Sequence, residues 1–151
     1  MNAAVSRDIE LSFGSEIGYL DLVQGVSDGA SALAGFDADS QYWIGLAVRE
    51  AVTNAILHGN QQDPKKKVVL VFRICEDRLE IIVRDQGKGI EGLDIPDPLG
   101  PENLLRPGGR GIFFIRSFMD NLDFRVPPEG GHEIVMAKVR TQEKRGKDDD
   151  N

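Results

Sequence analysis

The chain has 151 residues, 40% of them hydrophobic, which is enough for one domain with a substantial core. Its 18 Lys and Arg against 25 Asp and Glu give a net charge of −7 with no long basic stretch, which argues against a nucleic-acid partner. A single cysteine, Cys75, excludes an intrachain disulfide and a thiolate metal cluster and fits a reducing compartment. The N-terminal stretch carries Asp8 and Glu10 rather than an apolar leader. No apolar run nears the roughly 18 to 20 residues of a membrane span, so a cytoplasmic location is expected.

In chain order, residues 8–13 alternate Ile9, Leu11 and Phe13 with polar positions, the period-two pattern of a strand with one buried face. Ser15 is expected to cap a helix carrying Ile17, Leu20, Leu22, Val23 and Val26, weakened by its glycines and ending near Ala34-Gly35. A second helix is expected over residues 40–59, stopped by Gly59-Asn60, with Asp63-Pro64 starting the turn that follows. Residues 68–75 and 79–83 read as an antiparallel hairpin because three residues join them. Residues 86–107 are rich in glycine and proline with no sustained period, which predicts a functional lid. A helix over residues 109–119 and strands over 122–126 and 134–139 follow, the strands joined by Pro127-Pro128-Glu-Gly-Gly131. The polar residues 141–151 lack the apolar surface that would offset ordering entropy and are expected to form a disordered tail beyond a single domain at 1–140. This order implies an α+β, two-layer sandwich, with a mixed, mostly antiparallel sheet covered on one face by helices.

Three fragments carry chemistry. In residues 46–60, Glu50, Asn54 and His58 fall four apart and form one stripe on the second helix. Ile44, Val48, Ala51, Val52, Ala55 and Ile56 flank it on one side and Leu46 and Leu57 on the other, so these polar groups are expected to sit among apolar neighbours. Mg²⁺ prefers oxygen ligands and retains waters, so the amide oxygen of Asn54 together with phosphates is a suitable way to hold it, and Glu50 is placed to act as a general base. The second fragment, Val83-Arg-Asp85-Gln-Gly87-Lys-Gly89-Ile90, puts a carboxylate at a strand end beside glycines that let backbone approach a planar ligand, and a purine amino group is a donor it could accept from. The third, Gly108-Gly109-Arg110-Gly111, leads into a helix whose first amides suit phosphate oxygens, with Gly109 and Gly111 favoured over Arg110 for that role. Alone, each fragment has an ordinary explanation, as a polar helix face, a turn aspartate or a glycine hinge. Together they point to a Mg-nucleotide site. His58 and His132 are too few for a metal cluster, and His58 reads as a helix-end residue. No P-loop or dinucleotide fingerprint occurs.

Taken in order, Glu50-x-x-x-Asn54, Asp85-x-Gly87-x-Gly89 and Gly109-x-Gly111 resemble the N, G1 and G2 boxes of the Bergerat-fold ATPases, the superfamily of gyrase, heat-shock chaperone, histidine-kinase and mismatch-repair ATP sites, over about residues 8–140. The resemblance implies that Asn54 coordinates Mg²⁺, Asp85 binds the adenine amino group, Gly87 and Gly89 shape the adenine pocket, and the lid with Gly109 and Gly111 holds the phosphates of ATP. Arg49-Glu50-Ala51-Val-Thr-Asn54-Ala-x-x-His58-Gly59 and Gly109-Arg-Gly111-Ile-x-x-Ile-Arg-Ser-Phe-Met-Asp120 look most like the anti-sigma-factor serine kinases. Those proteins phosphorylate a serine on an antagonist protein and otherwise sequester a sigma factor. Glu50 matches that family's candidate catalytic base, and a homodimer is a family expectation. Two other functions stay open at this point: a nucleotide-gated binding module with little phosphotransfer, and a stand-alone histidine-kinase catalytic domain. Arg106-Pro107-Gly108 at the lid exit and the acidic tail depart from the pattern.

Overall fold

The computed structural model describes residues 6–87 and 109–140, with backbone alone at Gly109 and Arg110. Gly89, Gly108, the bulk of the expected lid and the tail at 141–151 lie outside the described residues. Five strands, β1 (Arg7–Gly14), β2 (Lys67–Ile74), β3 (Arg78–Asp85), β4 (Asn121–Arg125) and β5 (His132–Val139), form one sheet in the order β1-β2-β3-β5-β4. Every neighbouring pair is antiparallel. Among the described residues three helices, α1 (Leu20–Leu33), α2 (Ala38–Asn54) and α3 (Gly109–Phe118), complete the α+β fold.

The strand register sorts side chains onto two faces, because successive residues point to opposite sides of a strand. Ile9, Phe72, Ile81, Met136 and Leu122 make one cross-strand row, and Leu11, Leu70, Val83, Ile134 and Phe124 the next. Phe72, Leu70, Ile81 and Met136 are fully buried in a cluster with Ile44, Val48, Val52 and Ile56 of the α2 region and Ile115 of α3. Each such side chain contributes roughly 1.5–3 kcal/mol by leaving water, so this layer contact dominates stability. On the other face, Val71 and Ile82 form an apolar row between two rows of charge, Asp8–Arg73–Glu80 and Arg84–Glu133–Arg125. Val71 and Ile82 are nonetheless buried. The stems of the flanking arginines can cover such apolar surface while their heads stay in water.

Two helix starts differ from the sequence expectation. Ser15 does not cap a helix. Its hydroxyl is buried, donates to Lys66 O at 2.7 Å and accepts from Asn60 Nδ2 at 2.8 Å. The chain instead makes a short 3₁₀ turn, Ile17–Tyr19, before α1. Gly25 and Gly29 on α1 face open space, and the helix is held by Leu20, Val23, Ser27 and Ala30 packing inward. α2 starts slightly earlier than expected because Asp37 is its cap, accepting the Ser40 N–H at 2.8 Å, which lowers the carboxyl below its ordinary pKa.

α2 does not end as a plain α-helix. Ala55–Gly59 form a π-helical turn closed by Asn60 N–H donating to Ala55 O at 2.8 Å. Gln61 and Gln62 then take φ of 52° and 57°, left-handed values that reverse the chain. Asn60 is fully buried and ties three segments together. Its amide donates to Ser15 Oγ and to Lys67 O at 3.0 Å, and its Oδ1 accepts the Gln86 N–H at 2.7 Å. This strut fixes the π turn against the end of β1, the start of β2 and the residue following β3. Asn60→Ala would leave those groups unpaired in a buried place, and we expect a loss of about 2–4 kcal/mol, read as a lowered urea midpoint with unchanged slope. A wild-type midpoint would show that the strut holds nothing.

Candidate functional site

Asp85 ends β3 and sits where three elements meet. Gly59 from the π turn, Gly87 just after β3 and Gly131 just before β5 all press against it. A Cβ on Gly59 would fall on the Asp85 carboxylate, one on Gly87 would meet Gly59 O and lie 3.0 Å from Asp85 Oδ1, and one on Gly131 would meet the Asp85 carbonyl. Gly131 also has φ of 80°, a second reason for glycine there. The Asp85 side chain is only 9% exposed. Its Oδ1 accepts from Gly87 N at 2.9 Å, His132 N at 3.2 Å and His132 Nδ1 at 3.1 Å. Among the described residues its Oδ2 has no hydrogen-bond partner. An acceptor with one oxygen fixed and the other available has the chemistry to read an exocyclic amino group.

Gly59 therefore serves a purpose that the sequence reading did not give it. It was expected as a helix stop, whereas the reversal is made by Gln61 and Gln62 and its missing Cβ makes room for Asp85. The sequence also gives His132 no role at the site, because it falls between the expected turn at 127–131 and the expected strand at 134–139. β5 begins at His132, directly opposite Asp85. A histidine following Gly130-Gly131 was the available signal, but only strand register reveals its partner.

Glu50 and Asn54 occupy the last turn of α2. The expected apolar neighbours are in place, with Ile44, Val48, Ala51, Val52, Ala55 and Ile56 all buried. The stripe itself is not buried: Glu50 and Asn54 are half-buried and His58 is exposed. It lies at the border of the helix layer, so neither group bears the full desolvation penalty of a buried polar residue. Among the described residues neither the Glu50 carboxylate nor the Asn54 amide has a hydrogen-bond partner. Asn54 is an oxygen donor of the hard type that Mg²⁺ takes. No cluster of three or more His, Cys, Asp or Glu suited to a metal occurs among the described residues. A cation here would have to draw most of its ligands from phosphate and water.

α3 begins at Gly109 as expected and packs against α2, where Trp43 meets Phe114 and Phe118. The Glu50 carboxylate and Cγ lie where a Cβ on Gly111 would be. The structure thus brings the first and third fragments together, with the glycine-rich helix start against the Glu50 side chain. Gly109, Arg110 and Gly111 occupy the first turn of α3, where helical geometry leaves backbone N–H groups without intrahelical partners. At the other end of the sheet a cavity of about 350 Å³ is lined by Arg7, Leu33, Ala34, Ile74, Cys75, Glu76 and Arg140 and includes none of the expected site residues. Burial pushes the Cys75 thiol above its ordinary pKa, which disfavours the nucleophilic thiolate.

The two glycine contacts differ in kind and can be separated. Gly87→Ala drives a Cβ into backbone at Gly59, which cannot swing away, whereas Gly111→Ala meets the far end of a flexible glutamate. We expect Gly87→Ala to lower stability by about 2 kcal/mol or more and Gly111→Ala to stay within about 1 kcal/mol of wild type, since alanine also favours a helix. Thermal unfolding of both variants checks this; equal losses would mean that the crowding is not selective.

Comparison with known proteins places this geometry in a family. A family profile described as "Histidine kinase-like ATPase domain" matches residues 16–138. An anti-sigma F factor of Clostridium perfringens is 42% identical over 99 residues, covering 63% of this chain and 69% of that protein. The serine-protein kinase RsbW of Staphylococcus epidermidis is 33% identical over 142 residues, covering 89% of this chain and 88% of its own length. The RsbW of Oceanobacillus iheyensis is 30% identical over 148 residues, covering 94% and 92%. The matched span runs from the turn before α1 into β5 and holds Glu50, Asn54, Asp85, Gly87 and Gly111, so this chain belongs to the histidine kinase-like ATPase domain family.

Proposed function

We propose that this chain is an ATP-dependent serine/threonine protein kinase that doubles as an anti-sigma regulatory factor, phosphorylating an antagonist protein and sequestering a sigma factor. Its relatives are named for both halves of that role, an anti-sigma factor and serine-protein kinases. The observation that carries the kinase half is the contact of Glu50 with Gly111, which sets a carboxylate beside the first turn of α3 and one helical turn from the Asn54 amide, neither of them hydrogen-bonded among the described residues. Asp85 accepts the adenine amino group, with Gly87 and Gly89 shaping the base pocket. Gly108, Gly109, Arg110 and Gly111 hold phosphate oxygens, and the Asn54 amide oxygen would be the protein ligand of Mg²⁺. Bound Mg²⁺ would neutralise phosphate charge and orient the γ-phosphate. Glu50 takes the proton of the incoming serine hydroxyl as its oxygen bonds to the γ-phosphorus and the bond to ADP breaks. The setting is cytoplasmic, with a homodimer as the working assembly.

Incubation with labelled ATP and a small antagonist-like substrate protein tests the reaction class. Phosphate that survives acid on a substrate serine supports this function, whereas acid-labile phosphate would assign the chain to histidine-kinase chemistry. The base assignment predicts that Glu50→Ala keeps ATP affinity near wild type while single-turnover phosphotransfer falls by roughly 10² to 10⁴. If transfer continued at the wild-type rate, a nucleotide-gated binding module or a base such as His58 would be the better account. Asn54→Ala should abolish the Mg²⁺-dependent part of ATP affinity, since the metal would lose its protein oxygen. Calorimetry with and without Mg²⁺ measures that difference, and an unchanged difference in the folded variant would remove Asn54 from the metal.

A further inference from the structure

The cradle around Asp85 holds a histidine for which the proposed chemistry has no use. His132 lies directly across the strand pair from Asp85 and, among the described residues, is the one that gives its carboxylate two donors, one from backbone and one from the ring. An ionised carboxylate can only accept, so ring Nδ1 carries the proton in this contact. The His132 side chain is 30% exposed, against 9% for Asp85, so a substitution at 132 starts from the more accessible partner. The last torsion of an aspartate has a broad, two-fold preference, and nothing intrinsic chooses which oxygen faces a ligand. The donors on Oδ1 make that choice. Those from Gly87 and His132 backbone remain whatever side chain stands at 132, and the ring Nδ1 alone is removable.

From this we infer that His132 is a positioning and specificity residue for the nucleotide base: its ring holds Oδ1 and so presents Asp85 Oδ2, beside Gly59, as the acceptor for a 6-amino purine. The inference rests on Asp85 being the adenine reader. Glycine at 59 then has a second consequence, since a Cβ there would cover the oxygen that the ring leaves available.

The test uses the full chain and two competitors against a fluorescent ADP analogue: ADP itself and the purine riboside diphosphate that lacks the 6-amino group. The ratio of their two affinities is the readout, because any loss of folded protein affects both equally and cancels. Wild type should prefer ADP by about tenfold or more, the reach of a charge-assisted hydrogen bond. His132→Ala should lose most of that preference. His132→Asn, whose amide nitrogen can stand close to the place of Nδ1, should restore it to within about twofold, which general loosening of the strand pair would not predict. Asp85→Asn fixes the reference. If Asp85→Asn keeps the wild-type ratio, the adenine-reading role of Asp85 fails and the inference with it. If Asp85→Asn collapses the ratio while His132→Ala leaves it unchanged, or His132→Asn does no better than alanine, the role of His132 alone is overturned.

Discussion

A carboxylate at the end of a central strand, enclosed by backbone on three sides, is the constraint around which this fold is arranged. Asp85 is nearly buried, and a carboxylate out of water is tolerable only when hydrogen-bonded. Its donors come from the residue two positions on and from the facing strand, so β3, β5 and the segment after β3 must hold their register to a fraction of an ångström. The glycines at 59, 87 and 131 follow from this enclosure, each standing where a Cβ would strike Asp85 or the backbone around it.

The end of α2 meets that demand through an unusual helix turn. A continued α-helix would carry Gly59 and Asn60 along a regular spiral, whereas the π-helical turn widens it and closes on Ala55 O, five residues back. Gly59 then abuts Asp85, and Asn60 enters the interior where Ser15, Lys67 and Gln86 supply its partners. One side chain so joins the helix layer to three places along the sheet edge of the site. Its geometry is shared between packing and function, because the same strut that satisfies buried polar groups also fixes the residue that follows Asp85.

At the opposite side of α2 the requirement is openness rather than enclosure. Glu50 and Asn54 occupy the border of the helix layer, where hydration offsets the penalty of polar groups while the apolar residues on α2 remain buried. Gly111 lets α3 approach until its first turn touches the Glu50 side chain. A carboxylate beside a helix start is favourably placed on its own, but a polyphosphate bound at the same helix start would be repelled by it. A metal held by Asn54 beside them would ease that repulsion, which is why the proposed base and the proposed metal ligand belong on one helix face.

Much of this was legible in the sequence, for reasons that are local. Alternation at Ile9, Leu11 and Phe13, the apolar positions 44, 48, 51, 52, 55 and 56, and the short connection, read at 76–78 and observed at 75–77, are set by strand and helix periodicity, which a chain carries residue by residue. Glu50, Asn54, Asp85 and the glycines of the two later fragments stand out as candidates because their order and spacing together are rare. What the sequence did not disclose depends on contacts between distant segments. Ser15 reads as a cap but is drawn inward by Asn60, 45 residues away. Gly59 reads as a stop but clears space for Asp85, and His132 falls between the expected turn and strand but begins a strand whose register sets it on that same carboxylate. Periodicity determines which face of an element is apolar. Which polar residue meets which across the fold is decided only when β3, β5 and the end of α2 come together, because a hydrogen bond depends on a distance in space and not on a spacing along the chain.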